Sequence, residues 1–254
     1  MILDSFRLDG RVALVTGSTR GLGRALALAL AEAGADIATL DRSDAAETRA
    51  QIEALGRRCA SLRCDLATAS VAELAAAVAQ AEDALGGLDI LVNNAGIIRR
   101  ADALDFTEQD WDDVTQVNLK ALFFLSQAAA RAMLRRGGGK IIHIASMLSY
   151  QGGVCVPAYA AAKSGVAGLT RALANEWAAH GINVNAIAPG YMATDNTAAL
   201  QADAARSRSI LERIPAGRWG EPDDLQGAAV FLASDAARYL HGAIVPVDGG
   251  WLAR

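Results

Sequence analysis

Short apolar runs rich in β-branched residues alternate along this chain with longer stretches in which alanine and leucine recur at helical spacing. RVALVT, residues 11–16, is the first such run, and the following GSTRGLG opens an alanine- and leucine-rich stretch that predicts a helix from about Leu22 to Ala33. DIATL before Asp41, CASLRC at 59–64, LDILV at 88–92, KIIHIAS with its strand ending at Ala145, INVNAIAPG ending at Pro189-Gly190, and GAIVPVDGG near the end predict further strands. Between them the pattern predicts helices over 44–56, 70–85, 107 to about 136, 159–180, and 222 to about 234. Ser70 with Glu73 forms a capping-box pattern, and Thr107 is a cap. Strands that alternate with helices in this way predict an α/β fold, a single Rossmann-type doubly wound parallel sheet of about seven strands with helices on both faces. No linker, repeat or low-complexity segment interrupts the pattern, so residues 1–254 read as one domain. The longest stretch without a strand, 191–219, is a candidate lid over a crevice or a peripheral helical pair.

Composition narrows the function. With 254 residues, 52% of them hydrophobic, the chain can bury one large core. The net charge is −4 and no long block of like charge occurs, which argues against nucleic acid and anionic membranes as partners. No apolar run reaches about eighteen residues and no leader pattern opens the chain, so a soluble, cytoplasmic protein is expected. Cys59, Cys64 and Cys155 are odd in number and form no C-x-x-C, which fits a reducing compartment. His143, His180 and His241 are widely separated, so no protein-bound metal is expected, and His143 reads as a core or strand-end residue.

Candidate chemistry gathers at the ends of the predicted strands. Gly17, Gly21 and Gly23 are spaced G-x-x-x-G-x-G, where glycines let the backbone approach a pyrophosphate at the positive end of a helix. Thr19, Arg20 and Leu22 complete that loop. Asp41 stands about twenty residues on, where a carboxylate accepts hydrogen bonds from ribose hydroxyls and repels a 2′-phosphate; it argues for NAD. Arg20 and Arg42 can pair with a 2′-phosphate, which leaves NADP open. Asp65, followed by Leu66, ends the third strand, where it can reach an adenine amino group or simply belong to a strand-to-helix loop. Asn93, Ala95 and Gly96 can line the cofactor crevice or stabilise the sheet edge. Asn118 is unfavourable in mid-helix and predicts a local distortion, a water-binding role or a wetter face. Tyr159 and Lys163 share a helix face one turn apart, with Ser146 closing the strand before them. A nearby ammonium is expected to lower the pKa of the phenol, so that Tyr159 can exchange a proton with an alcohol oxygen held by Ser146.

T-G-x-x-x-G-x-G at Thr16 to Gly23, N-N-A-G at 93–96, Ser146 thirteen residues before Tyr159, Y-x-x-x-K, and P-G-x-x-x-T at 189–194 occur in that order. On these motifs nearly the whole chain resembles the short-chain dehydrogenase/reductase family. The resemblance implies that Tyr159 is the acid/base, that Lys163 binds the nicotinamide ribose and tunes Tyr159, and that Ser146 orients the substrate oxygen. It also implies that Asn118 holds a water in a proton relay, that Thr194 beyond Pro189 and Gly190 meets the carboxamide, that Asp65 meets the adenine, and that the protein is a homotetramer. SMLSYQGG, APGYMATDNT, IPAGRWG and VDGGWLAR look like the members that act on 2-deoxy-D-gluconate or 2-dehydro-3-deoxy-D-gluconate, with gluconate 5-dehydrogenases as runner-up. Reduction of an acyl-carrier thioester and a non-catalytic nucleotide-binding regulator are the competing readings. For a sugar acid, one of the adjacent Arg99 and Arg100 is expected to clamp the carboxylate, Arg100 being favoured, with Gln151 and Tyr191 also in the substrate site.

Overall fold

The computed structural model describes all residues 1–254. Seven strands, β1 Val12–Thr16, β2 Asp36–Asp41, β3 Cys59–Arg63, β4 Ile90–Asn93, β5 Gly139–Ile144, β6 Ile182–Pro189 and β7 Ile244–Val247, form one sheet in the order β3-β2-β1-β4-β5-β6-β7. Every pairing is parallel. The expected architecture is therefore present. β1, β4 and β6 are buried along their whole length, which explains why they read as unbroken apolar runs and not as an alternation of apolar and polar residues.

Helices cover both faces: α1 Gly21–Glu32, α2 Ala46–Ala54, α3 Val71–Leu85, α4 Glu108–Thr115, α5 Leu122–Arg135, α6 Pro157–Trp177, α7 Ala198–Ala202, α8 Ala204–Leu211 and α9 Gln226–Ala233. Leu14, Leu91, Ile141 and Val184 point to one face and pack with α3, α5 and α6 through Leu74, Leu125 and Leu173. Their strand neighbours Val15, Ile90, Val92, Ile142 and Ile187 point to the other, against Leu26 and Leu30 of α1 and Leu232 of α9. Each fully buried leucine or isoleucine in these layers contributes about 1.5–3 kcal/mol relative to exposure. None of the helices is long and apolar enough to cross a membrane.

Local chemistry sets the boundaries. Ser70 Oγ accepts from the Glu73 amide at 3.3 Å while Glu73 accepts from the Ser70 amide at 2.8 Å, the reciprocal cap expected of α3. Thr107 caps α4 by accepting from the Asp110 amide at 3.1 Å. α6 starts at Pro157, two residues before the expected Tyr159, because proline is preorganised for the first helical turn. The helical region expected from 107 to about 136 is two α-helices joined by a π-helical turn, Gln116–Ala121, which is the distortion at Asn118.

The order in which strands are added to the sheet reverses between β1 and β4, the point where α/β sheets open a crevice beyond their carboxyl ends. Segment 191–219 has no strand, only α7 and α8, and it folds back over that end of the sheet. Ile210 and Ile214 pack there against Met147, the neighbour of Ser146, and against Trp251.

Candidate active site

Ser146 follows the end of β5, and Tyr159 and Lys163 lie on the first two turns of α6. Ser146 is buried and its Oγ accepts from the Leu148 amide at 3.1 Å, which leaves its own proton free to donate. Lys163 is 3% exposed, with its ammonium donating to the Ile144 carbonyl at 2.6 Å and lying 5.6 Å from the Tyr159 ring centroid. Burial pushes the Lys163 ammonium down to about 8. The phenol departs from expectation. Burial holds the pKa of Tyr159 above its ordinary value, against opposing pulls from the Ser146 hydroxyl and the Arg100 guanidinium. The anticipated lowering by Lys163 is absent, because desolvation dominates and the ammonium is engaged with the β5 carbonyl. The resting phenol is protonated and Ser146 is within its field, an arrangement able to donate a proton to a carbonyl oxygen.

Asn118 sits in the π turn and is fully buried. Its Oδ1 accepts from the Ile97 amide at 2.8 Å and its Nδ2 donates to the Ile97 carbonyl at 2.8 Å. The widened turn lets this side chain pair with an extended backbone, which resolves the mid-helix asparagine as a local distortion. It also fixes the chain just beyond Gly96, whose Cβ, if present, would stand 3.3 Å from Asn118 Oδ1.

Around the glycine loop the fit for a dinucleotide is steric and electrostatic. A Cβ on Gly23 would lie 2.0 Å from the Gly17 carbonyl oxygen, and one on Gly17 would lie 2.9 Å from Ala95 Cα. Only glycine allows so close a packing of loop, helix and β4 end. α1 begins at Arg20 without a side-chain cap, so its positive end and first amides are free to receive an anion. Asp41 is 6% exposed; its carboxylate accepts from Ser18 Oγ at 2.7 Å and from the Thr19 amide at 3.2 Å. Burial raises its pKa, and those two donors oppose the rise. Arg42 is exposed and pairs with no carboxylate, whereas Arg20 pairs with Asp195 at 2.9 Å. Thr194 faces the loop, its Cγ2 3.8 Å from where a Gly21 Cβ would stand, and Pro189 and Gly190 close β6 beside Asp248. Asp65 Oδ1 accepts from the Ala67 amide at 3.0 Å in the loop after β3, and Leu66 is buried in the core.

Two residues turn away from the crevice. The Asn93 side chain, expected among the cofactor contacts, is buried and donates to Ser126 Oγ at 2.9 Å. It is Asn94 that grips the glycine loop, donating to the Thr16 and Gly17 carbonyls at 2.9 and 3.0 Å. Successive residues of an extended chain face opposite ways, so only one of the pair can do so. Arg99 is likewise held on α4 by Asp113 at 3.2 Å and Asp110 at 3.3 Å, while Arg100 donates to the Asn196 carbonyl at 3.0 Å and acts on Tyr159. Gln151 accepts from Arg213 at 3.2 Å, and that guanidinium lies 4.0 Å over the Trp251 ring. Tyr191 stands edge-on to Trp251 and Trp219, with centroids 4.8 and 5.5 Å away. No short-range pattern pairs Arg213 with Trp251 in the sequence; the segment after β6 and the chain end after β7 bring them together.

The family model described as Enoyl-(Acyl carrier protein) reductase matches residues 17–252. The 2-dehydro-3-deoxy-D-gluconate 5-dehydrogenase of Dickeya dadantii is 58% identical over 100% of both chains. A solved Agrobacterium tumefaciens structure, provisionally named a 2-deoxy-D-gluconate 3-dehydrogenase and holding NADP, is 59% identical with a TM-score of 0.92, covering 98% of this chain and 99% of its own. A gluconate 5-dehydrogenase from Burkholderia cenocepacia, in complex with NADP and tartrate, is 44% identical with a TM-score of 0.95 over 100% of both. Matches of this length and identity, on a sheet with this strand order and this spacing of Ser146, Tyr159 and Lys163, mean that the chain belongs to the short-chain dehydrogenase/reductase family of oxidoreductases.

Proposed function

We propose that the protein is an NAD(P)-dependent cytoplasmic enzyme, carried on one domain, that interconverts a secondary hydroxyl and a ketone on a sugar acid of the 2-deoxy-D-gluconate or 2-dehydro-3-deoxy-D-gluconate type. The observation that carries this reading is the meeting of Ser146, Tyr159 and Lys163 at the carboxyl end of β5, where Lys163 donates to the Ile144 carbonyl at 2.6 Å, with Arg100 held by the Asn196 carbonyl at 3.0 Å. A proton donor and a carboxylate-binding fork in one crevice suit a substrate that is both ketone and acid. A panel of aldonates, deoxyaldonates and ketouronates followed by nicotinamide absorbance tests it; turnover confined to neutral ketones overturns it. Gluconate 5-dehydrogenation is the second reading, favoured by the Burkholderia relative, and the same panel separates the two.

A nicotinamide held there would supply or accept the hydride. Ser146 donates a hydrogen bond to the reacting oxygen and Tyr159 gives or takes its proton. Lys163 holds positive charge beneath the phenol and is placed to meet the nicotinamide ribose. Asn118, committed to Ile97 at both polar ends of its amide, holds the π turn beside the site and is the residue assigned to a relay water. The glycine loop and the uncapped start of α1 take the pyrophosphate, with Thr194 across from them; Asp65 and Leu66 border the adenine side.

Asp41 makes NAD the preferred cofactor, and the exposed Arg42 gives the 2′-phosphate of NADP a partner. The Asp41 carboxylate also holds the loop itself. Asp41→Ala is therefore expected to weaken NAD by about 1–3 kcal/mol, the cost of stranding buried donors. NADP should lose less, since charge repulsion is relieved, and the gap between the two narrows. Nucleotide titrations by protein fluorescence check this, and an unchanged NAD affinity would contradict it.

The homotetramer is part of the same proposal. A groove of about 940 Å³ runs between α4, α5 and α6, lined by Leu119, Phe123, Phe124, Gly165, Gly168 and Leu169 among others. Its small-residue face suits close helix packing across a two-fold axis. A Cβ on Gly168 meets nothing within 4 Å, so Gly168→Arg is tolerated within one chain. It is expected to leave the circular dichroism spectrum intact while shifting sedimentation to smaller species; an unshifted tetramer would place the interface elsewhere.

A further inference from the structure

Beneath the crevice lies a buried chain of polar side chains that the proposed chemistry does not use. Asn93 Nδ2 donates to Ser126 Oγ at 2.9 Å, Ser126 Oγ meets His143 Nε2 at 3.1 Å, and His143 Nδ1 meets Thr170 Oγ1 at 3.0 Å. The hydroxyls also reach back along their helices, Ser126 to the Leu122 carbonyl at 2.7 Å and Thr170 to the Val166 carbonyl at 2.7 Å. Asn93 is 3% exposed and the other three 0%.

Each member shares an element with a residue of the proposed site. Asn93 ends β4 and leads into Asn94–Gly96; Ser126 is two turns past Asn118 on the α5 side of the π turn. His143 precedes Ser146 on β5, and Thr170 is two turns past Lys163 on the same face of α6. The four therefore cross-link β4, which leads into the Asn94 grip on the glycine loop, with α5, β5 and α6, the three elements on or beside which Asn118, Ser146, Tyr159 and Lys163 stand. We propose that Asn93, Ser126, His143 and Thr170 form a brace whose role is positional, fixing α5 and α6 against β4 and β5 so that the proton-transfer groups keep their spacing. The inference rests on the oxidoreductase reading above.

Counting protons shows why histidine suits the middle of this chain. Two hydroxyls and a neutral imidazole bring three protons to four contacts: the two back-bonds to carbonyls and the two to the ring. With the proton on Nε2, His143 donates to Ser126 and accepts from Thr170, and only the Thr170 back-bond is lost. With it on Nδ1, His143 donates to Thr170 and accepts from Ser126, and only the Ser126 back-bond is lost. Leu122 and Val166 are inside helices whose own N–H groups serve their carbonyls, so either loss is small. Both tautomers keep every link between elements. The ring stays neutral, because burial and then the Lys163 charge push His143 down to about 3.

The test uses variants that conserve shape. Thr170→Val and Ser126→Ala are each expected to lower kcat roughly ten-fold, with nucleotide Kd changed by less than about two-fold, since misplacement of reacting groups costs rate while Asn94 keeps its own hydrogen bonds to the glycine loop. Thr170→Ser should restore kcat, and the pH profile should keep its shape because His143 does not ionise in the working range. A fall in Tm with kcat unchanged at 25 °C would show that the chain only stabilises the fold and would overturn the proposal. His143→Leu is the stronger variant; should it not fold, the other two decide. Full turnover by Tyr159→Phe would instead remove the oxidoreductase reading itself, which keeps the two failures apart.

Discussion

Tyr159→Phe is expected to cut turnover by about 10²–10⁴-fold, the range for loss of a positioned acid or base. Cofactor binding should remain near wild type, because the glycine loop, Asp41 and Thr194 are untouched. The ring keeps its packing, and only the hydroxyl within reach of Ser146 is deleted. Normal turnover would sink the mechanism, whereas lost turnover with nucleotide still bound excludes a non-catalytic nucleotide-binding regulator. In the unaltered enzyme the pH dependence has a direction. Oxidation of an alcohol needs the deprotonated Tyr159–Lys163 pair, and reduction of a ketone needs the protonated one. Burial holds the phenol high and the ammonium at about 8, so oxidation should rise and reduction fall as pH climbs through that region. Initial rates in both directions across pH 6–10 check the sign.

Arg100→Ala is expected to raise KM for a sugar acid and remove about 2–3 kcal/mol of transition-state binding, as for one partner of a charged, hydrogen-bonded pair. Rates on an uncharged ketone should change little. Arg99→Ala is the control, because Asp110 and Asp113 already neutralise that guanidinium on α4. Damage from Arg99→Ala with Arg100→Ala silent would exchange their roles. If neither matters, the clamp lies elsewhere, and Arg213 against Trp251 becomes the residue to replace.

Much of this was legible in the sequence because it depends on local pattern. Fully buried strands such as Val12–Thr16 and Ile182–Pro189 advertise themselves as apolar runs, and the Ser70–Glu73 cap is contained in four consecutive residues. The spacing of Tyr159 and Lys163 needs only a helix to put them on one face. What was hidden depends on tertiary neighbours. The π turn at Gln116–Ala121 exists because Asn118 finds the Ile97 backbone, a partner that helix periodicity does not contain. The opposed directions of Asn93 and Asn94 follow from where β4 ends, one residue later than the apolar run suggests. The field at Tyr159 is a property of burial, and a nearby lysine in the sequence points the wrong way unless the carbonyl that occupies it is known. His143 was readable as a core residue, but its partners on α5 and α6 were not.

Segment 191–219 touches both arginines of the crevice: Arg100 through the Asn196 carbonyl, and Arg213 as its own residue stacked on Trp251. Ser146, Lys163 and Asn118 make their hydrogen bonds instead to Leu148, Ile144 and Ile97, none of which lies in that segment, and Tyr159 shares α6 with Lys163. The support for the two crevice arginines and the hydrogen bonds of the proton-transfer groups thus come from different parts of the chain. For redesign, residues 195–219 are the part to exchange between enzymes of different sugar acids, with Thr194 kept at the glycine loop and Ile210 and Ile214 kept apolar against Met147. Over evolutionary time, insertions and substitutions there can retarget the enzyme without first passing through an inactive form.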